Sequence, residues 1–320
     1  MKRERGAEAA LLEQARRALG RPLAAGASVR PIAASLTLEA LEVTEPGTTT
    51  VVVLFPRAQA EEGRREERVR EGLRAAGCAL PLVGTFRGGA GGRVLVAESA
   101  RSAPPSDPRS GGALLAELHA ALRGCARLDL DGRRLDPAGA AEVLSRIDDL
   151  IRYYPAPAEA QALLHAPLRR QLELVESFGG LAADGGDAAI VAGYFPEQTV
   201  EAQGRRAPLL WGSLRRGWEA EDLILTAAWS GWLERSAFAA FLAGYSESGG
   251  SLEPSAAQPG VEAAWAVLLC DVRAWYGRFI RGRHELLPLL RRQAAAIALL
   301  EDPAARRTFA ELLARASLGG

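Results

Sequence analysis

The side chains able to act as acids, bases, nucleophiles or metal ligands are thinly spread in this chain. Its three histidines, His119, His165 and His284, lie far apart and form no H-E-x-x-H pair, so their spacing builds no zinc site. His119 reads as a packed or capping histidine. The three cysteines, Cys78, Cys125 and Cys270, are odd in number, lack CxxC spacing and sit beside apolar residues, a usage that fits a reducing compartment. No G-x-S-x-G elbow marks a serine nucleophile. Carboxylates pair at Asp129/Asp131, Asp148-Asp149 and Glu221-Asp222. The first reads as a turn at Asp131-Gly132 and the second as a solvated helix face before Leu150.

Two absences exclude more than these residues suggest. The only lysine is Lys2, and no asparagine occurs in 320 residues. A P-loop needs a lysine to reach the β- and γ-phosphates, Schiff-base chemistry needs a lysine amine, and kinase-type phosphoryl transfer uses a lysine plus an asparagine on magnesium. A GC-rich genome or a warm habitat accounts for such a bias, but the chemical exclusion holds whatever the cause. Arginine can hold an anion; it cannot be deprotonated to act as nucleophile or base.

With 39 basic and 39 acidic side chains the net charge is zero, and the alternation in Glu61-Glu62-Gly63-Arg64-Arg65-Glu66-Glu67-Arg68 reads as a solvated helix face. Nucleic acid is not an expected partner. No stretch approaches the ~18 consecutive apolar residues of a membrane span, and the charged start Met1 to Gly6 lacks a signal-peptide core. A cytoplasmic protein is expected.

The elements that would position a site follow from periodicity and turn signals. Leu11, Leu12, Ala15 and Leu19 share a helix face over about 7–19. Leu36 to Val43 and Thr48 to Phe55 read as strands joined at Glu45-Pro46-Gly47. A charged helix at 61–76 stops at Gly77. Strands follow at Leu80 to Phe86 and Arg93 to Glu98, across a Gly-rich link at 87–92 that reads as a hairpin turn. The stretch Ser99 to Gly112, rich in Ser, Pro and Gly, reads as a hinge. Beyond it the chain is mostly helical, with an apolar face at Leu114, Leu115, Leu118, Ala121 and Leu122 and a long stripe from Val261 through Trp265, Leu268, Leu269 and Val272 to Phe279. All six tryptophans fall between Trp211 and Trp275; the stripe reads as core. A chain of this length is expected to form two lobes.

This order resembles the aminoglycoside phosphotransferase and choline-kinase-like family, from about Ser28 to Arg315. Thr49 to Pro56 is similar to that family's third strand, Glu66 or Glu67 falls where it keeps an ion-pairing glutamate, and Ala97-Glu98-Ser99 falls at the hinge that touches adenine. Leu118-His119 is similar to its helix-ending leucine-histidine pair. The resemblance implies an α+β, bilobal protein-kinase-like fold: an N-lobe at 1–98 with a small antiparallel sheet, a hinge at 99–112, and a larger helical C-lobe at 113–320.

Where the family carries H-G-D-x-x-x-x-N and then a metal-binding I-D-W, this chain has Ile190 to Val200 and Leu209-Leu210-Trp211. The resemblance places Ala192 at the histidine, Tyr194 at the catalytic aspartate, Thr199 at the asparagine, Leu210 at the metal-binding aspartate and Val53 at the strand lysine. Pro31 to Thr37 replaces the glycine-rich nucleotide loop. Asp222, in the family's aspartate-leucine pair, is carried over as a brace behind the site. Leucine offers a metal no oxygen, and a tyrosine with a reference pKa of about 10 is a poor acceptor of a hydroxyl proton at neutral pH.

The expected reading is a pseudokinase with no cofactor and no metal, acting as an accessory subunit or scaffold. Its partner would be a protein, or a small molecule or peptide in the kinase-like cleft, with Glu98, Tyr194, Glu197 and Asp222 as binding positions; a homo- or hetero-oligomer is compatible. The alternative is an active phosphotransferase in which arginines hold phosphate and relocated acids such as Asp184, Asp187 or Glu197 bind metal. A third reading, coincidental likeness in a two-part α+β binding protein of other ancestry, predicts no five-stranded N-lobe sheet.

Overall fold

The computed structural model describes residues 2–32, 38–79, 81–89, 92–125, 128, 130, 135, 137–146, 169–175, 186–192, 198–270 and 287–316. The chain divides into two compact units, one of Met1–Ser106, Ala121–Asp129 and Tyr194–Leu214, the other of Asp107–Ala120, Leu130–Gly193 and Arg215–Gly320.

The first unit begins with helix α1 (Lys2–Leu19), followed by strands β1 (Ser28–Ile32), β2 (Glu39–Glu45) and β3 (Thr48–Pro56). Glu45 pairs with Thr48, so Pro46-Gly47 is a two-residue turn; proline presets its first φ and Gly47 takes φ 81°. Helix α2 (Ala60–Ala75) leads to β4 (Thr85–Gly89) and β5 (Gly92–Glu98), completing an antiparallel five-stranded sheet in the order β1-β2-β3-β5-β4. The fourth strand starts at Thr85, not at Leu80. Gly84, at φ 94°, breaks the extended path before it. Gly92 is fixed by close approach, because a Cβ there would overlap the Phe55 carbonyl oxygen. Strands β6 (Ala100–Ser102), β8 (Thr199–Ala202) and β9 (Arg205–Pro208) form a second sheet, so the stretch read as a hinge contains a strand.

Strand alternation gives the larger sheet two buried faces. Leu41, Val43, Val52, Val94 and Val96 pack beneath Ala15, Ala18 and Leu19 of α1. Ala40, Val51, Val53, Phe55, Leu95 and Ala97 face Val200, Ala202, Ala207, Leu209 and Leu210. Each fully buried valine or leucine is worth roughly 1.5–3 kcal/mol against exposure, which is why β3 reads as an unbroken apolar run.

At the edge of this core Glu45 receives the Arg21 guanidinium, with Nη1 at 2.9 Å from Oε1, and the Ala24 N–H at 2.7 Å. These bonds hold its carboxyl down to about 2. The folded value lies below the ordinary ~4.3, so the stabilisation is complete above that value and is lost as pH falls from about 4 toward 2. Thermal melts of the parent should therefore fall in this window. A Glu45→Gln chain should start lower at neutral pH and show a shallower acid slope; parallel slopes would remove Glu45 as a cause.

Helix α3 (Pro108–Arg123), all but its last three residues in the second unit, and α4 (Pro137–Ser145) precede a small pair of antiparallel strands, β7 (Ala188–Ile190) with β10 (Arg215–Gly217). Helices Glu219–Ser230, Arg235–Glu247, Ala257–Cys270, Leu287–Glu301 and Pro303–Ala316 follow. The apolar stripe begins as expected, with Val261, Leu268 and Leu269 fully buried and the Arg306 guanidinium 4.1 Å from the Trp265 ring centroid. Its continuation from Val272 to Phe279 lies outside the described residues, as do His165 and His284.

Candidate functional site

The charged helix expected to be solvated is not wholly so. Gln59, Gly63, Glu66, Arg70 and Leu73 recur at helical spacing and make up the buried face of α2 and its approach. Two of these five are charged. Glu66 and Arg70 are each 1 % exposed and form an i, i+4 ion pair, Arg70 Nε donating to Glu66 Oε1 at 2.6 Å. Desolvating such a pair costs several kcal/mol per ion and is offset only when the remaining donors and acceptors are also satisfied. Here they are. Arg70 Nη1 donates to the Val83 carbonyl at 2.8 Å and Nη2 to the Leu209 carbonyl at 2.6 Å. Glu66 Oε2 accepts the Trp211 N–H at 2.8 Å and the Gly212 N–H at 2.5 Å. The pair thus clasps the segment 209–212 at one carbonyl and two amides. Glu67, the other candidate for the ion-pairing position, instead meets Arg93 in a half-exposed pair.

The clasp holds the segment with Leu210, which the resemblance assigns to the metal-binding aspartate, and Val53, assigned to the lysine, packs in the same core. Val53 is fully buried and Leu210 is 6 % exposed, and both belong to one apolar cluster with Val51, Phe55, Val83, Leu95 and Leu209. These residues do not fit a magnesium–nucleotide at this place. Neither side chain carries a charge or an oxygen, and a dehydrated phosphate against aliphatic carbon would lose its hydration without replacement. Among the described residues no group of three or more His, Cys, Asp or Glu is placed to hold a metal ion. Thr199, which the resemblance assigns to the asparagine, is fully buried at the start of β8, where its carbonyl accepts the Ala103 N–H at 2.9 Å.

In the second unit Asp222, which the resemblance makes a brace, is buried and hydrogen-bonded. Asp222, fully buried in the first turn of helix Glu219–Ser230, accepts the Val191 N–H at 2.7 Å through Oδ2. The same oxygen lies 3.1 Å from His119 Nε2, and His119 Nδ1 lies 2.9 Å from the Tyr245 hydroxyl. The network is consistent if Nε2–H donates to the carboxylate and Nδ1 accepts from tyrosine. His119 is packed, as its place on α3 suggests, and it bonds Asp222; its link to Tyr245 has no signal in the sequence. Ala192 directly follows Val191 with φ 40°, an uncommon backbone for alanine.

The remaining expected positions scatter. Glu98 is exposed and paired with Arg87; by strand alternation it shares the α1-facing side of β5 with Val94 and Val96, opposite Leu95 and Ala97. Asp187 is exposed, and its carbonyl accepts from Arg216 at 3.0 Å. Tyr194, Glu197, Asp184 and residues 33–37 of the replaced nucleotide loop lie outside the described residues. Arg70 and the Trp211 and Gly212 amides carry no direct sign in the sequence of belonging to the site. The available signal was the 59-63-66-70-73 spacing, which puts Glu66 and Arg70 on the same helix face as Leu73.

No family model matches the chain, and no curated protein matches it. Solved structures do. The chain is similar to a choline/ethanolamine kinase family protein from Mesorhizobium loti, with 16 % identity, 97 % of this chain and 100 % of that one covered, and a TM-score of 0.50. It is equally similar to a microcompartment-associated aminopropanol kinase, with 16 % identity, coverage of 95 % and 99 %, and a TM-score of 0.50. A macrolide 2'-phosphotransferase from Brachybacterium faecium aligns at 20 % identity over 95 % of this chain and 97 % of its own, with a TM-score of 0.45, and adds no weight. With a five-stranded antiparallel sheet followed by a helical body, and with these two kinases matched over nearly their whole lengths, the chain has the α+β, kinase-like fold of those two proteins.

Proposed function

We propose that this chain is a pseudokinase: a kinase-like fold that does not transfer phosphate and that acts by binding, as an accessory or scaffold protein. The observation that carries the reading is the burial of Val53 and Leu210 in a single apolar cluster, at the positions where phosphoryl transfer needs a cation on the phosphates and a carboxylate on magnesium. Phosphoryl transfer is nearly all positioning and electrostatic stabilisation, and two aliphatic side chains supply neither. The near absence of lysine and the absence of asparagine rule out recovering the strand lysine or the magnesium-binding asparagine from neighbouring positions.

The clasp supports the same reading. In the parent arrangement the helix glutamate is the counter-ion of the strand lysine. In this chain Glu66 has Arg70, four residues along its own helix, and spends its other lone pairs on the Trp211 and Gly212 amides. A binding role then follows from a kept scaffold with its reactive groups exchanged for packing ones, and the partner is a protein or a small molecule or peptide held by the kinase-like surface.

Calorimetry and thermal melts of the full chain with ATP, with and without magnesium, test the proposal. The expected outcome is no heat of binding and no rise in melting temperature at millimolar ATP in either condition. A magnesium-dependent rise on the order of 3 kcal/mol, the linkage expected at a hundredfold excess over Kd, would overturn it. Attention would then turn to Asp184, Asp187 and Glu197 as relocated metal ligands.

A further inference from the structure

Three turns of the first unit meet around a recess of about 560 Å³: Pro46-Gly47 between β2 and β3, Ser99 between β5 and β6, and Gln203-Gly204 between β8 and β9. Gln203 and Gly204, at φ 54° and 72°, make an ordinary two-residue hairpin turn. Ser99, at φ 53°, is the single residue that passes the chain from the larger sheet to the second, an uncommon backbone for serine. The walls are tied to one another. The Ser102 N–H donates to Glu42 at 2.6 Å, and Ala100 and Ala202 share an apolar cluster with Ala40 and Val51, so the recess is preformed by the fold and a ligand need not order it.

Its lining reverses the usual balance of a small-molecule pocket, which is mostly apolar with a few polar groups. Apart from glycine, Ala100 is its only apolar residue, and it has no aromatic one; a flat ring such as adenine finds nothing to stack on. Thr44 and Thr49 stand opposite each other on β2 and β3. With Thr48, Ser99 and Gln203 they present five side chains without a hydrogen-bond partner among the described residues. Glu45 is already matched by Arg21. The remaining charges are Arg101 and Glu201, paired in register across β6 and β8. One nitrogen, Arg101 Nη2, donates to both Glu201 oxygens at 3.1 Å, longer than the ~2.7–2.9 Å of a strong charge-assisted bond. Arg101 Nε and Nη1 have no partner among the described residues.

We propose that this recess binds a free α-amino acid with a polar side chain, its carboxylate on the open guanidinium nitrogens of Arg101 and its ammonium on Glu201. In such a ligand the two charged groups stand about 3 Å apart by covalent geometry, the spacing of Arg101 and Glu201 themselves, so the four groups alternate in sign around a ring. The threonine and serine hydroxyls and the Gln203 amide then take the ligand's side chain. A dianion such as phosphate would meet the Glu201 carboxylate beside its one arginine, and a neutral polyol would reach the hydroxyls but answer neither charge. The polar side chains of the recess lie outside the cluster of Val53 and Leu210, so the outcome does not depend on whether the chain binds ATP.

The test is calorimetry of the full chain with L-glutamine and L-serine, their N-acetyl and carboxamide derivatives, L-leucine, glucose and inorganic phosphate, each at millimolar concentration. The expected result is saturable binding of one or both polar amino acids, weakened roughly tenfold or more by loss of either charge or by the apolar side chain of leucine. Arg101→Gln and Glu201→Gln chains should each weaken binding by a similar factor while melting within about 2 °C of the parent, because an exposed pair of this kind adds little to folding. No binding of either polar amino acid, equal binding of an N-acetyl or carboxamide derivative or of L-leucine, preference for glucose or phosphate, or binding unchanged in Arg101→Gln would each overturn the proposal. The ligand comparisons use the parent chain and do not depend on any variant folding.

Discussion

An Arg70→Met chain is expected to lose roughly 3–5 kcal/mol of stability, read as an early melting transition of the first unit, because the change leaves Glu66 as a buried charge without its counter-ion. The effect is larger than an exposed pair would give, where the median is about 0–1 kcal/mol. Both side chains are 1 % exposed, so water cannot screen or replace what is removed. Arg70 also holds the carbonyls of Val83 and Leu209; its loss orphans two buried acceptors beyond the carboxylate, each costing on the order of 1–3 kcal/mol before relaxation.

A Glu66→Gln, Arg70→Met chain separates charge from packing. The amide oxygen of glutamine can still accept from the Trp211 or Gly212 N–H, and no bare charge remains, so the double variant should be more stable than Arg70→Met alone. Such recovery identifies the unpaired carboxylate as the main cost. A double variant as unstable as the sum of both singles would instead place the effect in lost packing of the long arginine stem.

How much of this was legible depends on what each element's pattern encodes. The hairpin at Pro46-Gly47 and the apolar run of β3 were readable, because turn chemistry and two-faced burial leave marks in local sequence. The start of β4 was not, since Gly84 redirects the chain through a positive φ that composition alone does not locate. The charged helix was misread for a physical reason. Alternating Glu and Arg look solvated, and only long-range partners, the Leu209 carbonyl and the Trp211 and Gly212 amides, make burial of Glu66 and Arg70 affordable in free energy. Asp222 was singled out through resemblance, and the structure gives it the Val191 N–H as a partner.

Restoring the two side chains that the resemblance implies, Val53→Lys with Leu210→Asp, is expected to destabilise the first unit by several kcal/mol and not to recover magnesium-dependent ATP binding. Each new group would enter the cluster of Val51, Phe55, Leu95 and Leu209, where an unpaired charge costs on the order of 3 kcal/mol or more. The helix glutamate is already committed to Arg70 and two backbone amides, so an introduced lysine has no vacant counter-ion there. The Leu210→Asp single variant carries a pH signature with a definite sign. Apolar surroundings raise the carboxyl's folded pKa above its unfolded value of about 3.9, so the unfolded state releases its proton first and the variant loses stability relative to the parent as pH rises from about 4 toward 8. Melts of parent and variant across that range read this directly, with the gap narrowest at the acid end. A gap independent of pH would mean that the aspartate side chain reaches water. A double variant that melts with the parent and gains magnesium-dependent ATP binding would mean that Val53 and Leu210 alone keep the nucleotide out, leaving the positions that the resemblance assigns to Ala192, Tyr194 and Thr199 as what still separates this chain from the family's catalytic set.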